Sequence, residues 1–150
     1  MAVSNQPGTS THSGGIPLTG NQPTPWWVRV VVLIGALLMA AGGIIALANP
    51  AMLASPHDQI NGAVHIYAGY LASRNLCIAA MLLVLLATRS TRALAHLTVL
   101  TAFIQIVDAG FDCVEGRWPI VPGVLILGVL FFLAAARLSG HPFWKAEAWS

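Results

Sequence analysis

The chain has 150 residues, of which 57% are apolar and 8% charged, with a formal net charge of +2. A soluble domain carries roughly 25% charged residues, so a fold in water could not cover this much apolar surface and lipid must be the solvent. The small net charge also argues against a nucleic-acid partner.

Residues 1–25 are rich in Ser, Thr, Gly, Pro, Asn and Gln and contain no Lys or Arg. Such a segment buries too little apolar surface to offset its ordering entropy, so a disordered tail is expected. Four apolar runs follow: Trp26 to Ala48, Val64 to Ala87, Leu94 to Phe111 and Ile120 to Leu138. At 1.5 Å per residue, about 20 helical residues cross the hydrocarbon layer, and each run is close to that length. The predicted fold is all-α: a transmembrane four-helix bundle over 26–138, followed by a C-terminal tail over 139–150. The third run is the shortest and most polar, and the others are expected to shield it.

Ala46-Leu47-Ala48 resembles a signal-peptidase site at the end of the first run. A signal peptide needs a basic segment ahead of its apolar core, and here only Arg29 follows a long neutral tail, so the run reads as a retained span. Ala36, Ala40 and Gly43 form a small-residue stripe on it. Such stripes let backbones approach closely, either within the bundle or at a homodimer interface.

The connections are short, which makes successive helices antiparallel neighbours. Asn49 to Ala63 is the longest and contains Pro50, Pro56, His57 and Asp58. Arg89-Ser90-Thr91-Arg92 joins the second and third runs. Asp112 to Pro119 joins the third and fourth, with Pro119 placed to begin a helix. Arg29, Arg89, Arg92, Arg137 and Lys145 then fall on one side of the membrane and only Arg117 on the other. The positive-inside rule predicts a multi-pass protein of the cell membrane with both termini cytoplasmic. Trp26, Trp27 and Trp144 would anchor the inner interface and Trp118 the outer one. His96, His141 and Lys145 add a weakly basic inner edge that favours anionic lipid.

Polar residues inside the spans carry the functional information. Arg74 and Asn75 lie near the middle of the second run, and Gln105 and Asp108 lie within the third. A lone charge at the centre of a span costs about 2.5 to 3.5 kcal/mol even on the lenient insertion scale, so an Arg74–Asp108 ion pair is expected. Side chains lean toward the N-terminus of their helix. The two heads therefore converge in the outer half, with the long Arg stem spanning the remaining depth.

Gln105, Asp108, Asp112 and Glu115 step by three, four and three along one helix face. Tyr67, Tyr70 and Arg74 form a matching face on the second run. Arg74, Asn75, Asp108, Gln105, Tyr67, Tyr70 and Asp112 thus make up a candidate polar pocket opening outward. His57, Asp58 and His65 lie at its rim, although His65 points away from Arg74. Asp112 and Glu115 sit near enough to the surface to read also as solvated acids. The ion pair itself has two readings: it fixes helix packing and register, or it marks a ligand or proton site.

Cys77 and Cys113 have no metal spacing and give no disulfide framework. No pair of histidines has metal-helix spacing, and no Gly-rich phosphate loop, nucleophile elbow or Cys-X-X-Cys is present. The sequence names no cofactor.

Arg74-Asn75 in the second span, Asp108-Ala109 late in the third and Gly116-Arg117-Trp118-Pro119 after it carry a resemblance. Over about Trp26 to Leu138 the pattern resembles small four-span bacterial integral membrane proteins, similar in layout to the DoxX-like group. The resemblance implies a four-helix membrane bundle and, from some DoxX-like members, a role beside quinone or redox chemistry. It carries over no catalytic residue.

Three functions compete. The first is a non-catalytic accessory or small-molecule-binding membrane subunit, whose partners are the bilayer and a lipid-soluble molecule or another membrane protein. The second is an enzyme acting on a quinone or isoprenoid, with Asp108 as acid or base, Arg74 as its electrostatic partner and Tyr67 or Tyr70 orienting substrate. The third is a transporter, which would require a homo-oligomer because four spans enclose little room.

Overall fold

Each apolar run folds as one uninterrupted α-helix: α1 (Trp26–Ala48), α2 (Gly62–Ala87), α3 (Thr91–Val114) and α4 (Val121–Ser139). The computed structural model describes residues 24–52, 61–140 and 145. The expected tail over 1–25 lies outside these apart from Thr24 and Pro25, as do Pro56, His57, Asp58, His141 and Trp144. All four helices are long and apolar enough to cross a membrane. The protein is an integral membrane protein with an all-α four-helix bundle.

The helix ends have local causes. Asn61 caps α2, its side-chain oxygen accepting from the backbone N–H of Ala63 at 3.0 Å and of Val64 at 3.2 Å. The cap starts the helix at Gly62, ahead of the apolar run, because it satisfies donors that the first turn leaves open. At the end of α3, Gly116 has φ +73°. Its N–H donates to the Cys113 carbonyl at 3.2 Å and the Arg117 N–H donates to the Asp112 carbonyl at 2.8 Å. This is a Schellman closure, which needs a left-handed residue that glycine supplies without steric cost. In α4 it is Pro122, not the expected Pro119, that occupies the first turn. Pro119 sits in the preceding turn instead, and Pro122 loses nothing there because a first-turn N–H has no helical acceptor.

The helices associate as two antiparallel hairpins. α1 packs along α2 and α3 along α4, while the α2–α3 and α1–α4 interfaces are much thinner. At the end holding the α2–α3 turn, all four helices share one core that includes Val28, Val32, Leu82, Leu94 and Phe131. Toward the other end the hairpins part, and Ala46, Ala68 and Ala72 form a separate contact between α1 and α2 alone. Large apolar residues such as Leu37, Leu38, Ile44, Val84, Leu100, Ile126 and Leu133 face outward, as a lipid solvent requires.

Small residues set these approaches. A β-carbon on Gly35 would stand 2.3 Å from Cζ of Phe131, so that ring lies directly on the α1 backbone. A β-carbon on Gly43 would meet Leu76 at 3.2 Å and the Ala72 carbonyl at 3.3 Å. The stripe therefore serves packing within the chain: Ala36 and Gly43 are buried and Ala40 is half-buried.

The third helix departs from expectation in two ways. It has 24 residues against 19 in α4, and α1, not α3, buries the largest share of its apolar stretch. Its own buried polar groups explain the difference in part. Thr98 and Thr101 satisfy their hydroxyls locally, donating to the Ala95 and Leu97 carbonyls, each at 2.8 Å, so they need no shielding partner. Gln105, Asp108 and Asp112 of α3 face the gap between the hairpins.

Candidate functional site

Where the hairpins part they enclose an open cleft of about 830 Å³. Its walls are largely apolar, with Val64, Ala68 and Leu71 from α2, Phe111 from α3, and Ile120 and Val124 at the start of α4. Set into these walls are Tyr67, Asn75, Gln105, Asp108, Asp112, Glu115 and Arg117. A pocket of this size that is mostly apolar, with a few converging polar groups, has the character of a small-molecule site.

Asp108 is joined to α2 by Arg74, whose Nη2 donates to both carboxylate oxygens at 3.2 and 3.0 Å. This ion pair crosses the thin α2–α3 interface and ties the two hairpins together. The side chains are 38% and 32% exposed, so they sit partly within reach of the cleft. Arg74 Nε is buried and has no hydrogen-bond partner. The guanidinium thus engages Asp108 through one nitrogen, without the two-nitrogen fork that makes Arg–carboxylate pairs strongest.

The other acids are also engaged. Arg117 Nη1 lies 3.4 Å from Asp112 and 3.4 Å from Glu115. The Asp112 side chain is only 14% exposed, so it is a half-enclosed, paired group and not the freely solvated acid of its second reading. Glu115 is exposed, as a solvated acid would be. Arg117 is the cleft residue that reasoning from charge placement passed over. A signal for it was present in Glu115-Gly116-Arg117, because a left-handed glycine after a helix folds the following residue back over the last turn. Here that turn contains Asp112.

Of the expected pocket residues, Tyr67, Asn75, Gln105, Asp108 and Asp112 line the cleft and Arg74 reaches Asp108 from its edge. Tyr70 does not line it and is exposed. At about 100° per residue, Val64, Ala68, Leu71 and Asn75 define the inward face of α2, and Tyr70 falls roughly a third of a turn away. His65 is exposed outside the cleft.

Asn75 and Gln105 occupy corresponding places on the two hairpins. A β-carbon on Gly42 of α1 would stand 3.8 Å from Nδ2 of Asn75. One on Gly128 of α4 would stand 3.4 Å from Cβ of Gln105. Each side chain therefore lies beside a glycine of its partner helix, Asn75 through its amide and Gln105 through its Cβ.

Among the described residues, no three His, Cys, Asp or Glu side chains are grouped to hold a metal ion. Cys77 and Cys113 are free. All three cleft carboxylates accept from, or pair with, an arginine, so the uncommitted hydrogen-bonding groups that line the cleft are the amides of Asn75 and Gln105 and the hydroxyl of Tyr67. Comparison with protein-family models, with curated proteins and with solved structures finds no match to this chain.

Proposed function

We propose that this protein is a non-catalytic membrane subunit that binds a small amphiphilic molecule in the cleft between its two hairpins. The observation that carries the reading is the cleft itself: about 830 Å³ of open space between membrane-spanning helices, apolar on most of its wall and polar at Asn75, Gln105 and Asp108. Clefts of about this volume between helices, mostly apolar with a few polar groups, are where small molecules bind. The Arg74–Asp108 pair clamps the hairpins beside it.

The test is native mass spectrometry of the gently solubilised wild type beside a cleft-filling Val124→Trp variant. Wild type is expected to arrive with a bound small molecule and the variant without it, both with the same assembly state. A wild type that arrives empty, or a variant that retains the same molecule, would overturn the reading.

We also propose that both termini face the cytoplasm, so that the cleft opens on the opposite side. Arg29, Arg89, Arg92, Arg137 and Lys145 against Arg117 alone support this orientation under the positive-inside rule. Reporter fusions at the C-terminus are expected to score as cytoplasmic, and an external C-terminus would reverse the placement of the cleft.

A further inference from the structure

The least accessible polar side chain in the cleft is Gln105, which is 9% exposed and lines the cavity. Its amide makes no hydrogen bond within the described residues, and neither does that of Asn75 on the facing hairpin. A buried polar group left unpaired is costly, and in a membrane interior there is little water to compensate. Gln105, buried, and Asn75, half-buried, both line the cleft with amides left without a partner among the described residues, as a site does when its ligand supplies the missing bonds.

The chemistry of those groups narrows the ligand. A primary carboxamide offers two N–H donors and a carbonyl acceptor, so Asn75 and Gln105 together ask for a headgroup that both donates and accepts. The charges around them disfavour an ion. Asp108, Asp112 and Glu115 are already engaged by Arg74 and Arg117, so a cationic ligand would have to displace an arginine. An anionic ligand would meet three carboxylates against two guanidiniums. Both kinds of ion would also leave the amides imperfectly matched.

We propose that the cleft selects an amphiphile with an uncharged, hydroxyl-bearing headgroup, such as the glycerol diol of a monoacylglycerol. Asn75 and Gln105 are its specificity-determining residues, and the apolar wall of Val64, Leu71 and Val124 holds the start of the chain. This proposal rests on the binding reading above and assigns that site its ligand class.

The test uses the full chain in detergent micelles, titrated with three probes of equal chain length: 1-monooleoylglycerol, oleate and oleyltrimethylammonium. Binding is read by native mass spectrometry as the ratio of wild-type to variant affinity, which cancels the partitioning of each probe into micelles. Gln105→Leu and Asn75→Leu are each expected to weaken monooleoylglycerol about tenfold, the effect of one lost hydrogen bond in a dry site, and to leave the charged probes unchanged. Gln105→Leu should unfold at the same temperature as wild type or higher. A drop would mean that the amide is structural and would overturn the proposal, as would variants that bind monooleoylglycerol like wild type. A loss of oleate or ammonium-probe binding in the variants as large as that of monooleoylglycerol would overturn the ligand class while leaving the binding reading intact. Retention of none of the three by wild type would overturn both.

Discussion

Asp108→Leu and Arg74→Leu are each expected to destabilise the folded bundle by about 1 to 2 kcal/mol. The double variant should lie within about 1 kcal/mol of wild type. The reasoning concerns what each change leaves behind. Removing the carboxylate strands a guanidinium whose Nε is already buried without a partner. The bonds from Nη2 to Asp108 at 3.0 and 3.2 Å are then lost. Removing the arginine strands a carboxylate on the cleft wall, exposed to a similar degree, so the penalty is comparable. Partial exposure of both side chains, 38% and 32%, keeps the estimates below the range of about 3 to 5 kcal/mol for breaking a fully buried pair.

Equilibrium unfolding in mixed micelles, run as a double-mutant cycle, measures the coupling directly. Penalties that simply add in the double variant would show that the two groups do not depend on each other. The hairpins would then be held together by the shared apolar core alone. The same series bears on function: a pair whose main role is to clamp the hairpins costs stability when broken, whereas the ligand preference belongs to the neighbouring amides.

Gly35→Ala carries the other large effect, an expected loss of about 2 to 3 kcal/mol through overpacking. The added methyl would stand 2.3 Å from Cζ and 2.9 Å from Cε2 of Phe131. Phe131 is fully buried in the core shared by all four helices, so its ring has no free space to swing into. Shrinking the obstacle should rescue the change: Gly35→Ala with Phe131→Leu is expected to be clearly more stable than the sum of the two single effects. Gly42→Ala is the control. The nearest atom to its added methyl is at 3.8 Å, an ordinary contact, and alanine favours a helix over glycine by about 1 kcal/mol. Thermal unfolding in one detergent ranks all four variants, and a Gly35→Ala protein as stable as wild type would refute the close α1–α4 approach.

Much of the architecture was readable in the chain because it depends on local quantities. Run length and hydropathy set four spans, since an apolar helix about as long as the bilayer is thick has one stable placement. The Arg74–Asp108 pairing was also readable, because two isolated charges at similar depth on consecutive antiparallel helices have few other partners. The end of α3 was less legible: the apolar run stops at Phe111, whereas the helix continues to Val114 before the left-handed Gly116 closes it.

Other features depended on how the helices were arranged around one another. Helical spacing placed Tyr70 with Tyr67, yet only Tyr67 reaches the cleft. Spacing ranks residues around one axis but does not say where the neighbouring helix ends and the gap begins. Length and polarity ranked the third span as the one most in need of shielding, while the glycines and alanines of α1 gave that helix the closest neighbours. Polar residues can be accommodated by facing a cavity as well as by being covered, and composition does not distinguish the two. The parting of the hairpins follows from the same physics. Phe131 seated on Gly35 draws α1 and α4 together near one end, and among the described residues no glycine contact of comparable closeness joins them at the other. Asn75 and Gln105 thereby become facing groups across a cleft, a relation between residues 30 positions apart that only the packing of four helices creates.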